Sequence, residues 1–210
     1  MNPDREEFTR LFQQADDPWG FKTRWYEARK RDLTLAALPR QHYRRGYEPG
    51  CANGELAAAL APRCDQLLVS DGVPAALDRA RQRLHGLAQV RFLQGWVPDS
   101  WPPGSFDLIV FSEIGFYLDH PQLAKLIGQI KLALEADGTL LACHWRHPVE
   151  GYTLNGDDVH RALAVQLGWP RLARHEEADF LLEVWSPDPR SVAQREGFVN
   201  SQALAPGAGC

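Results

Sequence analysis

Hydrophobic residues recur in five short runs between positions 44 and 145, each bounded by Gly, Pro, Asp or Ser. In chain order the runs are RRGYEPG, QLLVSD, VRFLQG, FDLIVFSE and GTLLACHW. Apolar runs of this length, bounded by turn residues, are typical of strands buried on both faces of a parallel sheet. The pattern therefore predicts five parallel β-strands.

Helical patterns separate these runs. They cover residues 55–62, 74–84 and 122–134. Pro74 and Pro121 suit the first turn of a helix, and Gly138 suits a helix stop. Strands that alternate with helices in this way predict a doubly wound α/β sheet.

The two ends of the chain read differently from the centre. Residues 21–38 form an amphipathic helical pattern that follows the turn DDPWG, and a further helix is predicted near residues 159–167. The runs RLARHEEA and DFLLEVW lie close together and predict an antiparallel hairpin at the sheet edge. We expect an N-terminal lid or cap segment (1–40), a main domain (41–186) and a poorly ordered tail (187–210).

Composition narrows the class of partner. The net charge is −4, whereas a nucleic-acid-binding surface is normally basic, so no nucleic acid is expected. The N-terminal MNPDREEF does not read as a signal peptide, and no apolar run approaches the roughly 20 residues of a membrane span. Cys51, Cys64, Cys143 and Cys210 form no CxxC pair, so neither a metal site nor a disulfide framework is predicted. A cytoplasmic protein without membrane contact is expected.

The stretch YEPGCANGEL joins the first strand to the first helix through a glycine-rich turn. A phosphate-binding P-loop needs a Lys followed by Ser or Thr, but the helix here begins Gly54-Glu55-Leu56. A dinucleotide fingerprint needs a third glycine, and Glu55 stands in that slot, where its carboxylate would repel a pyrophosphate. A nicotinamide-dependent dehydrogenase is therefore the least favoured interpretation.

What remains is the pattern E-x-G-x-A-x-G, formed by Glu48, Gly50, Ala52 and Gly54. It resembles the first motif of class I S-adenosylmethionine (SAM) methyltransferases, with Ala in the middle glycine slot. SAM carries no phosphate, so a nearby acid is tolerable, and small residues let the backbone approach the ligand. Asp71 ends the next strand about 20 residues further on, where an acid can accept bonds from ribose hydroxyls. Alternatively, the two glycines only serve the turn and Asp71 caps the next helix.

Several blocks in order carry a narrower resemblance: DPWGF, WYEARK, LTLAALP, EPGCANG, FDLIVFSEIGFYL and HWRHP. Together they resemble the nodulation protein S family of SAM-dependent methyltransferases, over residues 17–185. The resemblance implies a Rossmann-like, seven-stranded sheet with SAM as cofactor and S-adenosylhomocysteine as product. It also implies N-methylation, because the family's namesake methylates the free amine of a partly deacetylated chito-oligosaccharide.

The resemblance also assigns residues to the cofactor. Trp19 and Arg29 correspond to a lid over SAM, and a guanidinium such as that of Arg29 could pair with the methionine carboxylate. The alternatives are a solvated arginine on the helix surface and a tryptophan that anchors the helix in the core. The full expected cofactor set is Trp19, Arg29, Glu48, Gly50, Cys51, Ala52, Gly54, Asp71, Gly72, Gln94, Gly95, Trp96 and Ser112.

Two positions depart from the usual pattern. Trp96 stands near the slot where an acid often binds the adenine amino group, so adenine would be held by stacking or by backbone groups around Gln94 and Gly95. The block after the fourth strand usually resembles SE-x-x-YY, but here it reads SEIGFY. One tyrosine hydroxyl of that block is therefore absent.

Candidate catalytic groups follow the fourth and fifth strands, because ligand sites in α/β sheets form at the carboxyl ends of strands. An amine must be neutral to attack, so it needs a proton route or an acid that orients its N–H bonds. We predict Glu113 as that carboxylate, His147 as a base or hydrogen-bond partner, and Tyr117 beside them. His144 is better explained as a buried imidazole. Further polar candidates are Arg146, Tyr152, Asp157, Asp158 and His160, of which the two aspartates also suit a helix start.

Three functions remain open from the sequence. The first is N-methylation of a small amine, amino-sugar or oligosaccharide. The second is O-methylation of a small hydroxylated metabolite with His147 as base. The third is a protein that binds SAM without catalysis.

Overall fold

The computed structural model describes residues 3–199 as a seven-stranded sheet with helices on both faces. The strands are β1 (Tyr43–Pro49), β2 (Cys64–Asp71), β3 (Val90–Gln94), β4 (Phe106–Ser112), β5 (Leu134–Trp145), β6 (Arg171–Glu176) and β7 (Phe180–Trp185). The helices are α1 (Pro3–Gln14), α2 (Trp25–Ala37), α3 (Glu55–Leu60), α4 (Pro74–Arg83), α5 (His120–Ala133), α6 (Gly156–Leu167) and α7 (Val192–Arg195). Short 3₁₀ turns cover Ala61–Arg63 and Gly115–Tyr117.

The strand order is β3-β2-β1-β4-β5-β7-β6. The first five strands pair in parallel, and β7 pairs antiparallel with both β5 and β6. The chain therefore reverses its direction of winding between β1 and β4, which opens a crevice at their carboxyl ends.

Alternation along the central strands builds two apolar layers. In β4, Leu108 and Val110 face one layer while Ile109 and Phe111 face the other. The β4 side chains from Phe106 to Phe111 are all buried, as expected of a strand covered by helices on both faces. This double burial explains why the strand reads as a continuous apolar run.

The predicted doubly wound sheet and its C-terminal hairpin are confirmed, with the hairpin at the edge of the sheet. Pro74 and Pro121 both lie in the first turn of a helix. The predicted stop at Gly138 is wrong, because α5 ends at Ala133 and Gly138 lies inside β5. The lid helix begins at Trp25 instead of position 21, since residues 16–23 fold as bends and turns.

The terminal segments hold further elements. Helix α1 lies within the predicted lid segment and was not anticipated from the sequence. Within the predicted tail, α7 forms with Ser191 as its N-cap, whereas positions 200–210 lie outside the described residues. None of the helices described between residues 3 and 199 is long and apolar enough to pass through a lipid bilayer.

Candidate active site

A cavity of about 570 Å³ opens at the carboxyl ends of β1, β2, β4 and β5, between the sheet and helices α1 and α2. A smaller cavity adjoins it on the β1 side. The residues that line both are Phe21, Glu27, Lys30, Gly50, Ala52 and Glu113. The two cavities therefore form one cleft at the crevice that the strand order creates.

The turn after β1 forms the floor of this cleft. Gly50, Ala52 and Gly54 have φ values of +73°, +48° and +82°, so the chain enters the left-handed region at every second residue. A Cβ on Gly50 would lie 2.4 Å from Cγ2 of Ile114, which leaves no room for a side chain there. Ala52 tolerates a conformation that glycine adopts more readily, because its N–H donates to Oδ2 of Asp71 at 3.0 Å.

Asp71 links the first two strands through this bond. Its second oxygen, Oδ1, accepts the N–H of Val73 at 2.9 Å. Burial raises the pKa of Asp71 to about 6, although the N–H groups of Val73 and Ala52 act in the opposite direction. The N-cap of α4 is Val73, so Asp71 lines the cavity without capping that helix.

Glu48 lies under the turn and lines the smaller cavity. Its side chain is buried, and Oε2 has no hydrogen-bond partner among the described residues. Burial, followed by the negative charge of Asp71, raises the pKa of Glu48 to about 8. Asn53, beside it, likewise leaves Oδ1 without a partner in the described part of the chain. The floor of the cleft thus contains buried oxygen atoms that have no hydrogen-bond partner among the described residues. Buried polar groups rarely stay unpaired, so a ligand or water is expected to bind here.

The DPWG turn closes over the glycine turn. Asp17 accepts the backbone N–H groups of Phe21 and Lys22, and its Oδ1 also accepts Nδ2 of Asn53 at 3.0 Å. Trp19 lines the cavity and packs edge-on against Phe12 of α1 at 5.4 Å between ring centroids. One carboxylate therefore fixes the lid turn to the turn after β1.

Trp96 lies on the opposite wall, after β3. A Cβ on Gly72 would lie 2.0 Å from the indole ring, so Gly72 is what lets the ring rest on the backbone. The guanidinium of Arg5, from α1, lies 5.4 Å from the ring centroid. The indole of Trp96 therefore lies just after β3 and against the residue that follows β2, which is where the sequence analysis expects adenine to bind.

A chain of three charges crosses the cleft from α2 to β4. Lys30 Nζ lies 2.8 Å from Glu113 Oε1 and 3.1 Å from Glu27 Oε2. Burial opposes the ammonium, but the charges of Glu113 and Glu27 outweigh it and raise the pKa of Lys30. The other oxygen of Glu113 accepts the N–H of Trp145 at 3.0 Å. Both oxygens of the cavity carboxylate are thus held in place.

Glu113 reaches this position through an unusual backbone. Its φ is +59°, and together with Ala52 it makes up the non-glycine residues with positive φ between positions 3 and 199. Both line the cleft. Backbone in this region is strained for a residue with a side chain and is found disproportionately at ligand sites.

Aromatic rings form the wall beside Glu113. Phe8 of α1 meets Tyr117 edge-on at 4.8 Å, and Tyr117 meets Tyr152 at 4.8 Å. Tyr26 and Trp145 meet at 5.9 Å with perpendicular rings. Burial, and then the charge of Glu113, raises the pKa of Tyr117, so this phenol keeps its proton and can act as a donor.

Two of the predicted polar site residues, Arg29 and His147, lie outside the cavity lining. Arg29 faces away and pairs with Glu177 at 2.7 Å. His147 is half exposed and pairs through Nε2 with Oδ1 of Asp179 at 2.8 Å. Asp179 itself lines the cavity, as does Trp145, whose ring lies 4.7 Å from that of His147, so His147 reaches the site only through these two neighbours.

The remaining predicted positions divide in a similar way. Gly95 lines the main cavity, and Cys51 and Ser112 line the smaller one. Gly54 and Gln94 line neither. For Gly54 the requirement is packing, because its backbone lies against Ala80 of α4.

The polar groups at the end of β5 and in the segment after it mostly serve the fold. His144 is buried, accepts the N–H of Gly115 at Nε2 and contacts His160 through Nδ1 at 3.1 Å. Burial, and then His160, lowers the pKa of His144 well below its usual value, so the ring is neutral. Asp158 completes the capping box of α6, and Asp157 pairs with Arg146 at 3.0 Å.

Sequence reasoning missed the residues that the two N-terminal helices contribute: Arg5, Phe8, Phe12, Tyr26, Glu27 and Lys30. A signal was present in each helix. Phe8 and Phe12 are four positions apart, and Glu27 and Lys30 are three apart, so each pair shares one helix face. Nothing in the local pattern indicated that those faces would meet the carboxyl ends of the strands.

Comparison with known proteins gives one family. A family model described as nodulation protein S (NodS) matches residues 4–150. A nodulation protein S of Rhizobium tropici is 33% identical over 129 residues, which cover 60% of this chain and 54% of the relative. Another, from Sinorhizobium fredii, is 33% identical over 106 residues, covering 50% of this chain and 49% of the relative. The chain thus spans about half the length of these curated relatives.

Solved structures agree with this match. A candidate methyltransferase from Pseudomonas syringae is 54% identical, with a TM-score of 0.70 over 78% of this chain and 99% of the other. The N-methyltransferase NodS from Bradyrhizobium japonicum WM9, solved with S-adenosyl-L-homocysteine, is 26% identical. Its TM-score is 0.79, over 88% of this chain and 98% of the other.

Proposed function

Because the chain belongs to the nodulation protein S family, we propose that it transfers the methyl group of SAM to the nitrogen of a small amine or amino-sugar. The observation that carries the proposal is the floor of the cleft. There the left-handed turn at Gly50 and Ala52 is tied to Asp71, and an oxygen of buried Glu48 has no protein partner in the described chain. A ligand with hydroxyl and ammonium donors suits this set of acceptors.

The residues present fit SAM. Asp71 can accept ribose hydroxyls, and the free oxygens of Glu48 and Asn53 can accept an ammonium group. Trp96 offers an aromatic surface for adenine, in place of the acid that often binds its amino group. The turn lacks the lysine of a phosphate-binding loop, in keeping with a ligand without phosphate. When bound, SAM supplies an electrophilic methyl group on a positively charged sulfur.

The chain's own residues then align an acceptor and exclude water. Glu113 lines the cavity with both oxygens held, by Lys30 and by the N–H of Trp145, and a carboxylate so held can accept an N–H of the acceptor. Tyr117 keeps its proton, so its role is to donate a hydrogen bond and not to act as a base. Alignment in a shaped, closed site supplies much of the rate of such a displacement.

The test combines binding and product analysis. Calorimetry should show S-adenosylhomocysteine binding, and incubation with SAM and a panel of amines and amino-sugars should yield N-methyl products by NMR. Absence of binding to either nucleoside would overturn the cofactor assignment. Binding without methyl transfer to any member of the panel would instead favour a non-catalytic SAM-binding protein.

O-methylation is the second candidate, favoured by one observation. His147 pairs with Asp179 at 2.8 Å, which is the arrangement of an imidazole base oriented by a carboxylate, and Asp179 lines the cavity. A methyl group found on oxygen in the same NMR experiment would select this function. A methyl group on nitrogen would reject it.

A further inference from the structure

The wall after β3 offers adenine an aromatic surface but no carboxylate. Trp96 stands near the position at which an acid often binds the adenine amino group. The next acid along the chain, Asp99, is exposed and pairs with Arg5 at 2.8 Å and with Lys125 at 3.1 Å. It is not among the residues that line the cavity. An adenine ring that lies here therefore receives no carboxylate from this loop.

Two backbone groups of the same loop are already used within the protein. The N–H of Gly95 donates to the carbonyl of Asp71 at 3.0 Å, and the carbonyl of Trp96 accepts the N–H of Ser100 at 2.8 Å. Gln94 lines neither cavity. These contacts reduce what the backbone around Gln94 and Gly95 can offer to adenine. A polar group from another element is therefore favoured for the edge of the ring.

Helix α5 packs against this loop through one face. Lys125 Nζ bonds Oδ1 of Asp99 at 3.1 Å, and Nε2 of Gln129 donates to the carbonyl of Pro98 at 2.9 Å. Gln122 lies three residues before Lys125 and seven before Gln129, so the three side chains share that face of the helix. Gln122 also lines the main cavity. It therefore lies where the face of α5 that contacts the loop reaches the cleft.

The capping box of α5 fixes the orientation of the Gln122 amide. Its Oε1 accepts the N–H of Asp119 at 3.1 Å, and its own backbone N–H donates to Oδ1 of Asp119 at 2.8 Å. Because Oε1 is bound in the cap, Nε2 is the donor that remains, and it makes no hydrogen bond within residues 3–199. The cap thus holds a donor at the cavity wall, and less side-chain freedom is lost when a ligand binds.

Adenine is a suitable partner for this amide. Its ring nitrogens are hydrogen-bond acceptors, its amino group is a donor, and a Gln side chain can contact both together. The oxygen of the amide has a second lone pair, so its bond in the cap does not prevent it from accepting the amino group. Phe8 of α1 closes the space beside the amide, with its ring 6.2 Å from Trp96 and 4.8 Å from Tyr117.

We propose that Gln122 recognises the edge of the cofactor's adenine, donating from Nε2 to a ring nitrogen and accepting the amino group at Oε1. The inference rests on the proposed use of SAM and names a specificity-determining residue of that site. Gln122 takes no part in the bonds that form and break during methyl transfer. Its loss should therefore change the affinity for the nucleoside and leave kcat at saturating SAM within about threefold of the parent.

A conservative variant separates binding from helix capping. Gln122→Glu keeps the capping box, since Glu serves at this position as well as Gln, but it replaces the N–H donors with an acceptor. We expect calorimetry to show S-adenosylhomocysteine affinity reduced about 10- to 100-fold, with the urea midpoint unchanged. Gln194→Glu makes the same change in the capping box of α7, outside the cavity lining, and should alter neither quantity. Unchanged affinity in Gln122→Glu would overturn the inference, as would a higher KM for the acceptor alone.

Analogues of S-adenosylhomocysteine test the contact itself. In the 1-deaza, 3-deaza and 7-deaza forms, a C–H group that cannot accept a hydrogen bond replaces one ring nitrogen. We expect the parent to bind one of the three about 5- to 100-fold more weakly than S-adenosylhomocysteine, and Gln122→Glu to lose this discrimination. The same relative affinities in parent and variant would overturn the inference and leave SAM binding standing. A parent that binds no S-adenosylhomocysteine would overturn the proposed function as well.

Discussion

The two halves of the cleft differ in which groups form them, since backbone dominates in one half and side chains dominate in the other. The half at the carboxyl ends of β1 and β2, the backbone half, is formed mainly by backbone groups. It consists of a left-handed turn, glycines that let a ligand approach the backbone closely, and Asp71, which accepts two backbone N–H groups. The half beside β4 and β5, the acceptor half, is formed by side chains: aromatic rings such as Phe8 and Tyr117, and the charges of Glu27 and Lys30 from α2 and of Glu113 from the turn after β4. The first half suits a ligand shared across a family. The second can change its ligand by changing a few side chains, without altering the turn.

The comparison predicts that changes in the acceptor half alter turnover and leave cofactor binding intact. Glu113→Gln should lower kcat by about 10²–10⁴-fold, as expected for losing a group that assists proton movement, because the amide cannot replace the carboxylate. The affinity for S-adenosylhomocysteine should change less than about threefold, as expected when no direct contact is lost. Steady-state kinetics and calorimetry provide the two readouts. Glu150→Gln, on an exposed loop, is the control, and a kcat equal to that of the control would remove Glu113 from the mechanism.

The charge chain should also be the largest contributor to stability among the site residues. Lys30→Met leaves Glu27 and Glu113 facing each other without their shared cation, and breaking a buried pair in this way costs about 3–5 kcal/mol. Urea unfolding measures the change in the free energy of unfolding. The exposed Lys22→Met serves as control. A loss below about 1 kcal/mol would mean that water screens the three charges.

The backbone half should respond in the opposite sense. Asp71→Asn removes a carboxylate that accepts two N–H groups, and it should weaken S-adenosylhomocysteine binding about 10- to 100-fold, since hydrogen bonds to a charged group contribute about 1.5–3 kcal/mol. Once the enzyme is saturated with SAM, kcat should stay within about threefold of the parent. Asp65→Asn, exposed and paired with His42, is the matched control. Equal losses in S-adenosylhomocysteine affinity and in kcat would contradict the assignment of separate roles to the two halves of the cleft.

Glu48 predicts a pH dependence of stability. Its pKa is raised from 4.5 to about 8 in the folded protein, so between these values the unfolded chain releases a proton that the folded protein keeps. Its contribution to stability is therefore complete below pH 4.5 and lost as pH rises through 8, with a slope of at most about 1.4 kcal/mol per pH unit. Urea unfolding between about pH 7 and 8, where Asp71 with its pKa of about 6 is almost fully ionised, should show this slope in the parent and a flatter one in Glu48→Gln. The same slope in both proteins would rule out Glu48 as its source.

The smallest effect is expected at Arg29. Its guanidinium pairs with Glu177 outside the cavity lining, so Arg29→Ala should change S-adenosylhomocysteine affinity less than about threefold, as is usual for exposed ion pairs. Calorimetry on this variant distinguishes the structure from the sequence-based assignment to the methionine carboxylate. A tenfold loss of affinity would restore that assignment.

Sequence alone predicts the backbone half better because its determinants are local. Gly50, Ala52 and Gly54 lie within five residues of each other, and Asp71 ends the strand that pairs with β1. The alternation of apolar runs with helical patterns predicts the parallel sheet in which β1 lies beside β2 and β4. Turn chemistry and strand order together position these residues.

The acceptor half escapes such reasoning because its parts are distant in the chain. Lys30 meets Glu113 across 83 positions, and that contact depends on how α2 packs over the sheet. Gly138 fails as a helix stop for a related reason, since pairing with β4 extends β5 back to Leu134 and overrides the local preference. Tertiary packing, which no window of sequence contains, decides both.

The left-handed backbone of Glu113 has a consequence for how this site can evolve. Gly, Asn and Asp adopt such a φ with least strain, but none of them has a side chain as long as that of Glu. Position 113 therefore requires a residue that tolerates the left-handed backbone and whose side chain is long enough to contact both Lys30 and the N–H of Trp145. A single substitution of Glu113 that relieves the backbone strain also gives a side chain too short to make these contacts. A change of acceptor specificity during evolution is therefore easier at the surrounding aromatic positions than at this carboxylate.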